Sequence, residues 1–200
     1  MTEIIPTHAD IAPHALLRAA DDLDWHPGCA EPWVADVLAS LLRANATRVA
    51  IEIGGFEGYT SRHLQRALST LPWQKSLTVC EIDHDRARAT RRTLCRDGIC
   101  GYVKVMCADS LDWIPTLDAE SVDFVWLDGC HEKPHVYREL RALVPKMAPG
   151  GLLCGHDVFG STDLQEVFAR VAVETGWRSM SLDLPMLGPA GGIGCLQRPR

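Results

Sequence analysis

The stretch Val49-Ala50-Ile51-Glu52-Ile53-Gly54-Gly55-Phe56-Glu57-Gly58-Tyr59-Thr60 decides the fold. A short apolar run ends in an acid, and a glycine-rich turn then opens a helix at Thr60-Ser61-Arg62-His63-Leu64. Such a turn lets a small ligand lie against bare backbone at the carboxyl end of a strand, with helix N–H groups aimed at it. A dinucleotide fold needs Gly-x-Gly-x-x-Gly to bring backbone against a pyrophosphate. The spacing here is Glu-x-Gly-x-x-x-Gly-x-Thr, with an acid ahead of the first glycine. That acid repels a pyrophosphate and suits a ligand that carries an ammonium group.

Outward from this turn, short apolar runs alternate with helical periods. The runs fall at 48–53, 77–82, 102–107, 122–128 and 151–157, and the helical stretches between them at 60–71, 84–96, 111–117 and 133–147. A helix starts near Glu31, with Pro32 in its first turn and Val34, Val37, Leu38, Leu41 and Leu42 on one face. Another covers 163–174, and two last strands, 177–184 and 191–196, flank the loop 185–190. Regular alternation of this kind predicts an α/β fold, a parallel sheet with helices on both faces and the site beyond the carboxyl ends of the strands. The last two strands are joined too closely for a crossover helix, so that pair is antiparallel. Seven strands, mostly parallel in a Rossmann-like sheet, with one antiparallel, are expected. Residues 1–30, rich in Asp, His and Pro and without a sustained period, read as an arm or lid segment ahead of one domain over 31–200.

Composition narrows the classes. A chain of 200 residues suits one α/β domain, and a net charge of −6 argues against a broad nucleic-acid footprint. The run Arg86, Arg88, Arg91, Arg92 and Arg96 reads as a solvated helix face. The eight cysteines form no Cys-x-x-Cys pair, and the plain reading is buried, reduced thiols in a cytoplasmic protein. Met1-Thr2-Glu3 leads into a segment broken by Pro6 and Pro13, so no signal peptide is expected, and no apolar stretch reaches the ~20 residues of a membrane span.

The Glu52 to Thr60 pattern resembles motif I of the class I S-adenosylmethionine (SAM) methyltransferases. The resemblance implies that Glu52 serves the methionine amino group, while Gly54, Gly55, Phe56, Gly58 and Thr60 serve its carboxylate. Glu81, closing the second strand beside Ile82, takes the place of the ribose acid; Asp83 is the neighbouring candidate, and either acid could cap the next helix. Asp109, beside Ser110 after the third strand, takes the adenine place and could equally be an N-cap.

The later strand ends narrow the resemblance. Asp128-Gly129-Cys130-His131 follows strand four, and Pro149-Gly150-Gly151 with His156-Asp157 marks strand five. These look like the small-molecule O-methyltransferases of the catechol, sugar and macrolide type (methyltransferase family 24-like), many of which need a divalent metal. Carried over by position, Asp128, His156 and Asp157 occupy metal-ligand places. A histidine there departs from the usual oxygen ligand, and suits a transition metal better than magnesium. His131 stands where the catechol enzymes carry a lysine base, and an imidazole with a pKa near ~6.5 can take a hydroxyl proton at neutral pH. His131 and Asp128 are therefore the catalytic candidates; His135, Tyr137 and Trp113 could line the acceptor pocket or be helix-surface and core residues.

The resemblance implies methyl transfer from SAM to a hydroxyl of a small acceptor, and leaves room for a homodimer. Two other readings are a nitrogen, nucleic-acid or protein acceptor and a non-catalytic SAM-fold binding subunit. The absence of an Asn/Asp-Pro-Pro-aromatic motif after strand four weighs against base methylation, and the intact glycine turn against the binding subunit.

Overall fold

The computed structural model describes residues 25–26, 28–160, 163–182 and 190–200. Seven strands, β1 (Val49–Ile53), β2 (Ser76–Glu81), β3 (Val103–Cys107), β4 (Val122–Leu127), β5 (Met147–Gly160), β6 (Arg178–Leu182) and β7 (Ala190–Gln197), form one sheet in the order β3-β2-β1-β4-β5-β7-β6. All pairings among β1 to β5 are parallel, and β7 runs antiparallel to both β5 and β6. The expected fold class holds.

The helices are α1 (Pro32–Ala44), α2 (Tyr59–Ser69), α3 (His84–Arg96), α4 (Ser110–Trp113), α5 (Lys133–Leu143) and α6 (Gln165–Thr175). Side-chain alternation along the strands splits the core into two layers. Phe124 and Trp126 of β4 join Leu38, Leu42, Leu64, Leu68 and Leu94 under α1 to α3. Val125 and Leu127 join Leu140, Leu143, Phe168 and Val171 under α5 and α6. The order reverses at β1, where neighbours β2 and β4 lead to opposite edges, and a crevice opens there beyond the strand ends.

Three sequence expectations need correction. The helix read over 133–147 ends at Leu143, followed by a 3-10 turn Val144–Lys146, and Met147 already begins β5. Pro145 accounts for this, because it brings no N–H to the helical ladder and its ring crowds the carbonyl four residues back, although Val144 itself keeps helical dihedrals. The stretch 111–117 is likewise cut into α4 and the 3-10 turn Ile114–Thr116 at Pro115. The cysteines are not all buried thiols: Cys107 is exposed, Cys29 and Cys130 are half-buried, and Cys95 and Cys100 are joined as a disulfide. Gly98, at φ +73°, turns the chain back after α3 and brings these two Cα atoms to 4.6 Å. Strand β6 ends at Leu182, and the loop 185–190 and the arm 1–24 lie outside the described residues, Ala190 excepted. Among the described residues no helix is long and apolar enough to cross a membrane.

Candidate active site

A cavity of about 430 Å³ opens at the carboxyl ends of β1 to β4. Its floor is the glycine turn. Gly54 holds φ +91°, and a Cβ there would fall on the Asp128 carbonyl. A Cβ on Gly55 would lie 2.6 Å from Val79 and 3.1 Å from the Thr90 hydroxyl. Both positions demand glycine, because no side chain has room. The turn is stitched from three sides: Gly54 N–H donates to Cys80 O, Asp128 N–H to Ile53 O, and the Thr90 hydroxyl to Phe56 O.

The two strand-end acids have different fates. Glu81 lines the cavity; its Oε2 accepts from Phe56 N–H at 2.8 Å and its Oε1 from Asp83 N–H at 3.0 Å. It is held beside the turn, while Asp83 is the N-cap of α3, accepting from Asp85 and Arg86 N–H. Glu52 is 1 % exposed and does not line the cavity. Strand alternation turns it to the α1–α3 face, where the Ser61 hydroxyl of α2 donates to its Oε2. Its Oε1 has no hydrogen-bond partner among the described residues, and burial pushes its pKa up to about 8. Gly58 also lies off the cavity, its φ of +86° serving close packing on Thr90.

At the β3 end, Asp109 lines the cavity and caps α4, accepting from Leu111 N–H at 2.8 Å. Ser110 donates to Glu139 of α5, a buried carboxyl that also lines the cavity, and His135 Nε2 stands 3.3 Å from the same Glu139 oxygen. Burial raises the Glu139 pKa, with Ser110 and His135 acting against it. Exposed Ile82 and Arg86 form one rim, and the Arg86 guanidinium lies 4.8 Å from the Phe56 ring centre. The other arginines of α3 face solvent as expected. Of the acceptor-pocket candidates, His135 lines the cavity, Tyr137 bonds Glu174 on the helix surface, and Trp113 belongs to the core.

Charge concentrates at the β4–β5 end. His156 is 7 % exposed, with Nδ1 3.1 Å from Asp128 Oδ1 and Nε2 3.0 Å from Glu31 Oε2. His131, half-buried and facing the cavity, has Nε2 3.5 Å from Asp128 Oδ1 and Nδ1 3.4 Å from Asp157 Oδ2. Asp157 Oδ1 is 3.5 Å from His156 Nδ1. Adjacent strand residues normally point to opposite faces. Here the β5–β7 register slips between His156 and Phe159, and Asp157 takes φ +51°, so both side chains turn into one cluster. Burial works to lower the His156 pKa, yet Asp128, Glu31 and Asp157 outweigh it and hold it up at about 11. The Asp128 carboxylate likewise raises His131 against its burial. Burial alone would raise Asp128, but the two imidazoles hold it below its ordinary value.

For metal binding the structure regroups the candidates. Ligand atoms of Asp128, His131 and His156 all lie within 4.8 Å of one another, with His131 in the place that the resemblance implied for Asp157. Sequence reading missed Glu31 as a partner of His156, Glu139, and the short segment Gly28, Cys29 and Ala30 that forms a cavity wall. Glu139 left one faint signal, its spacing of four from His135 on a helix.

These features, a glycine cradle, a carboxyl beside it and a polar strand-four end at a sheet reversal, define a class. The sequence matches the model of a methyltransferase domain (methyltransferase family 24) over residues 51–158, more than half the chain, and the protein belongs to that family. Among solved structures it is similar to the O-methyltransferase TomG of tomaymycin synthesis from Streptomyces achromogenes, in complex with SAM. That pair shares 21 % identity over 95 % of this chain and 89 % of the other, with a TM-score of 0.72. An O-methyltransferase from Bacillus cereus in complex with SAH (S-adenosylhomocysteine) is 20 % identical over 98 % and 93 % of the two chains, TM-score 0.71. Cofactor-bound Rv0187 from MTB is 19 % identical over 98 % and 100 %, TM-score 0.71. No curated protein matched the sequence.

Proposed function

We propose that the protein transfers the methyl group of SAM to a hydroxyl of a small-molecule acceptor such as a sugar, phenol or secondary metabolite. The observation that carries this reading is one cavity lined by the Gly54–Gly55 cradle, the Glu81 carboxyl, and the Asp128–His131 pair. The SAM and SAH of the two named O-methyltransferases support it. A cosubstrate with its amino acid over the cradle and its ribose at Glu81 brings its sulfonium toward Asp128 and His131. His131 then takes the acceptor proton as the new O–CH3 bond forms and the S–CH3 bond breaks, leaving SAH. Asp128 and Asp157 hold the resulting imidazolium in place. Such base catalysis is worth roughly 10²–10⁴-fold.

A second reading rests on the ligand atoms of Asp128, His131 and His156, which fit a transition metal in kind and proximity, with Asp157 alongside. A bound ion would polarise the acceptor hydroxyl, and His131 would then be a ligand rather than a base. The two readings part on chelation. Under the base reading, turnover survives EDTA treatment, whereas under the metal reading it is lost and returns with one divalent ion. Calorimetric titration with SAM and SAH tests the cosubstrate: binding of both, lost in Glu81→Ala, is expected, and failure of both to bind overturns the assignment.

A further inference from the structure

Glu139 is buried at 2 % exposure yet lines the cavity, and the SAM reading gives it no role. Its Oε1 is occupied twice, by the Ser110 hydroxyl and by His135 Nε2 at 3.3 Å. Its Oε2 takes no hydrogen bond among the described residues. That oxygen is not among the fully buried unpaired atoms and keeps slight exposure on the cavity side, so the donor it meets is solvent or the ligand that displaces it. Asp109, which sequence reading placed at the adenine, already spends an oxygen on Leu111 N–H as the cap of α4, and is only half-buried.

The direction of the ligand follows from the other contacts. With the ribose at Glu81 on β2 and the sulfonium toward Asp128 on β4, the base extends to the β3 side, where Ser110, His135 and Glu139 stand. Adenine has one hydrogen-bond donor on its exposed edge, the exocyclic amino group. We propose that Glu139, positioned by Ser110 and His135, accepts this amino group and makes the site read adenine against hypoxanthine. The inference rests on the cosubstrate reading above. Hypoxanthine replaces the donor with a carbonyl oxygen that faces the carboxylate, so the penalty combines a lost bond with an unpaired buried oxygen.

Calorimetric titration with SAH and with S-inosylhomocysteine, its 6-oxo counterpart, tests this directly. The unsubstituted protein is expected to bind the inosyl compound roughly 10–100-fold more weakly. Glu139→Gln, whose amide can donate to the 6-oxo group, is expected to abolish or invert that preference. Glu139→Asp, which withdraws the carboxyl by one methylene, is expected to shrink it and serves if the glutamine variant does not fold. A general loss of packing would weaken both ligands alike and leave their ratio unchanged. Equal binding by the unsubstituted protein, a preference that persists in both Glu139 variants, or one that moves with Asp109→Asn instead, overturns the inference while leaving SAM binding intact. Absence of binding by either nucleoside overturns the cosubstrate reading and this inference with it.

Discussion

Between β1 and β2 the cavity is walled by backbone in positions that no side chain could share, whereas between β4 and β5 five titratable groups crowd together. At the first end a side chain on Gly54 or Gly55 would strike Asp128 O, Val79 or Thr90, and Glu81 is fixed by two N–H donors. At the second, Glu31, Asp128, His131, His156 and Asp157 are linked by charge contacts of 3.0–3.5 Å. The first selects by shape and resists change, because any added atom displaces the strands that carry it. The second carries the chemistry in the proposed function, and at half-buried His131 a substitution acts chiefly on charge rather than on packing. Substitutions at the two ends should therefore fail in different assays.

The sharpest separation comes from His131→Ala. Turnover is expected to fall roughly 10²–10⁴-fold, while SAH affinity measured by calorimetry stays unchanged. Loss of both together would erase the division between the ends. Gly54→Ala should do the reverse, with a Cβ at φ +91° set against Asp128 O. Strain and overpacking together cost about 3 kcal/mol, read as a lower denaturant midpoint together with lost SAH binding. Unaltered stability in this variant would mean that the cradle is softer than the charged end.

Cys95→Ser provides a reference away from both ends. Opening the short loop closed by this disulfide is expected to lower stability by about 2 kcal/mol under oxidising conditions. SAH affinity should not change, and a shift in it would tie the α3–β3 turn to the cavity. The smallest effect is expected from Glu52. Its folded pKa, pushed up to about 8 by burial, stands above the unfolded value near ~4.3. The native state therefore holds the extra proton between these values, so the stability this group contributes is complete below ~4.3 and declines as pH rises to about 8. Glu52→Gln removes that decline. Because the amide brings a donor of its own to satisfy, the melting temperature at pH 8 should rise by only about 2–4 °C, with none gained near pH 4. An unchanged pH profile would show that Glu52 is ionised in the fold.

The strand ends were legible because each apolar run stops near a chemically distinct residue: Glu52 is the last but one of β1, Glu81 closes β2, and Asp109 and Asp128 follow β3 and β4. Which of them reaches the cavity was not. Glu52 and Glu81 look alike in sequence and alternation gives both to the same face, but Glu52 lies level with Val79 inside the sheet, whereas Glu81 stands two residues further on, at the strand end beside the cavity. The Glu31–His156 contact joins positions 125 apart in sequence, and no local spacing encodes it. Glu139 reads as one polar residue on an amphipathic helix, and its burial follows only from α4 lying against α5. The helix breaks at Pro115 and Pro145 were written plainly, and apolar periodicity outweighed them in the reading.

The slip of register in β5 has a consequence for how this pocket can change. From His156 to Phe159 β5 advances three residues while β7, from Ile193 to Gly191, advances two. Presenting an imidazole and a carboxylate from consecutive positions is thus a matter of counting rather than spelling. Deleting one residue after His156 would restore strict alternation and send whichever side chain followed the histidine to the far layer. The donor inventory of the cluster would shrink with no donor codon rewritten. Length variation in this one strand is thus a second alphabet in which the reactivity of the pocket can be edited.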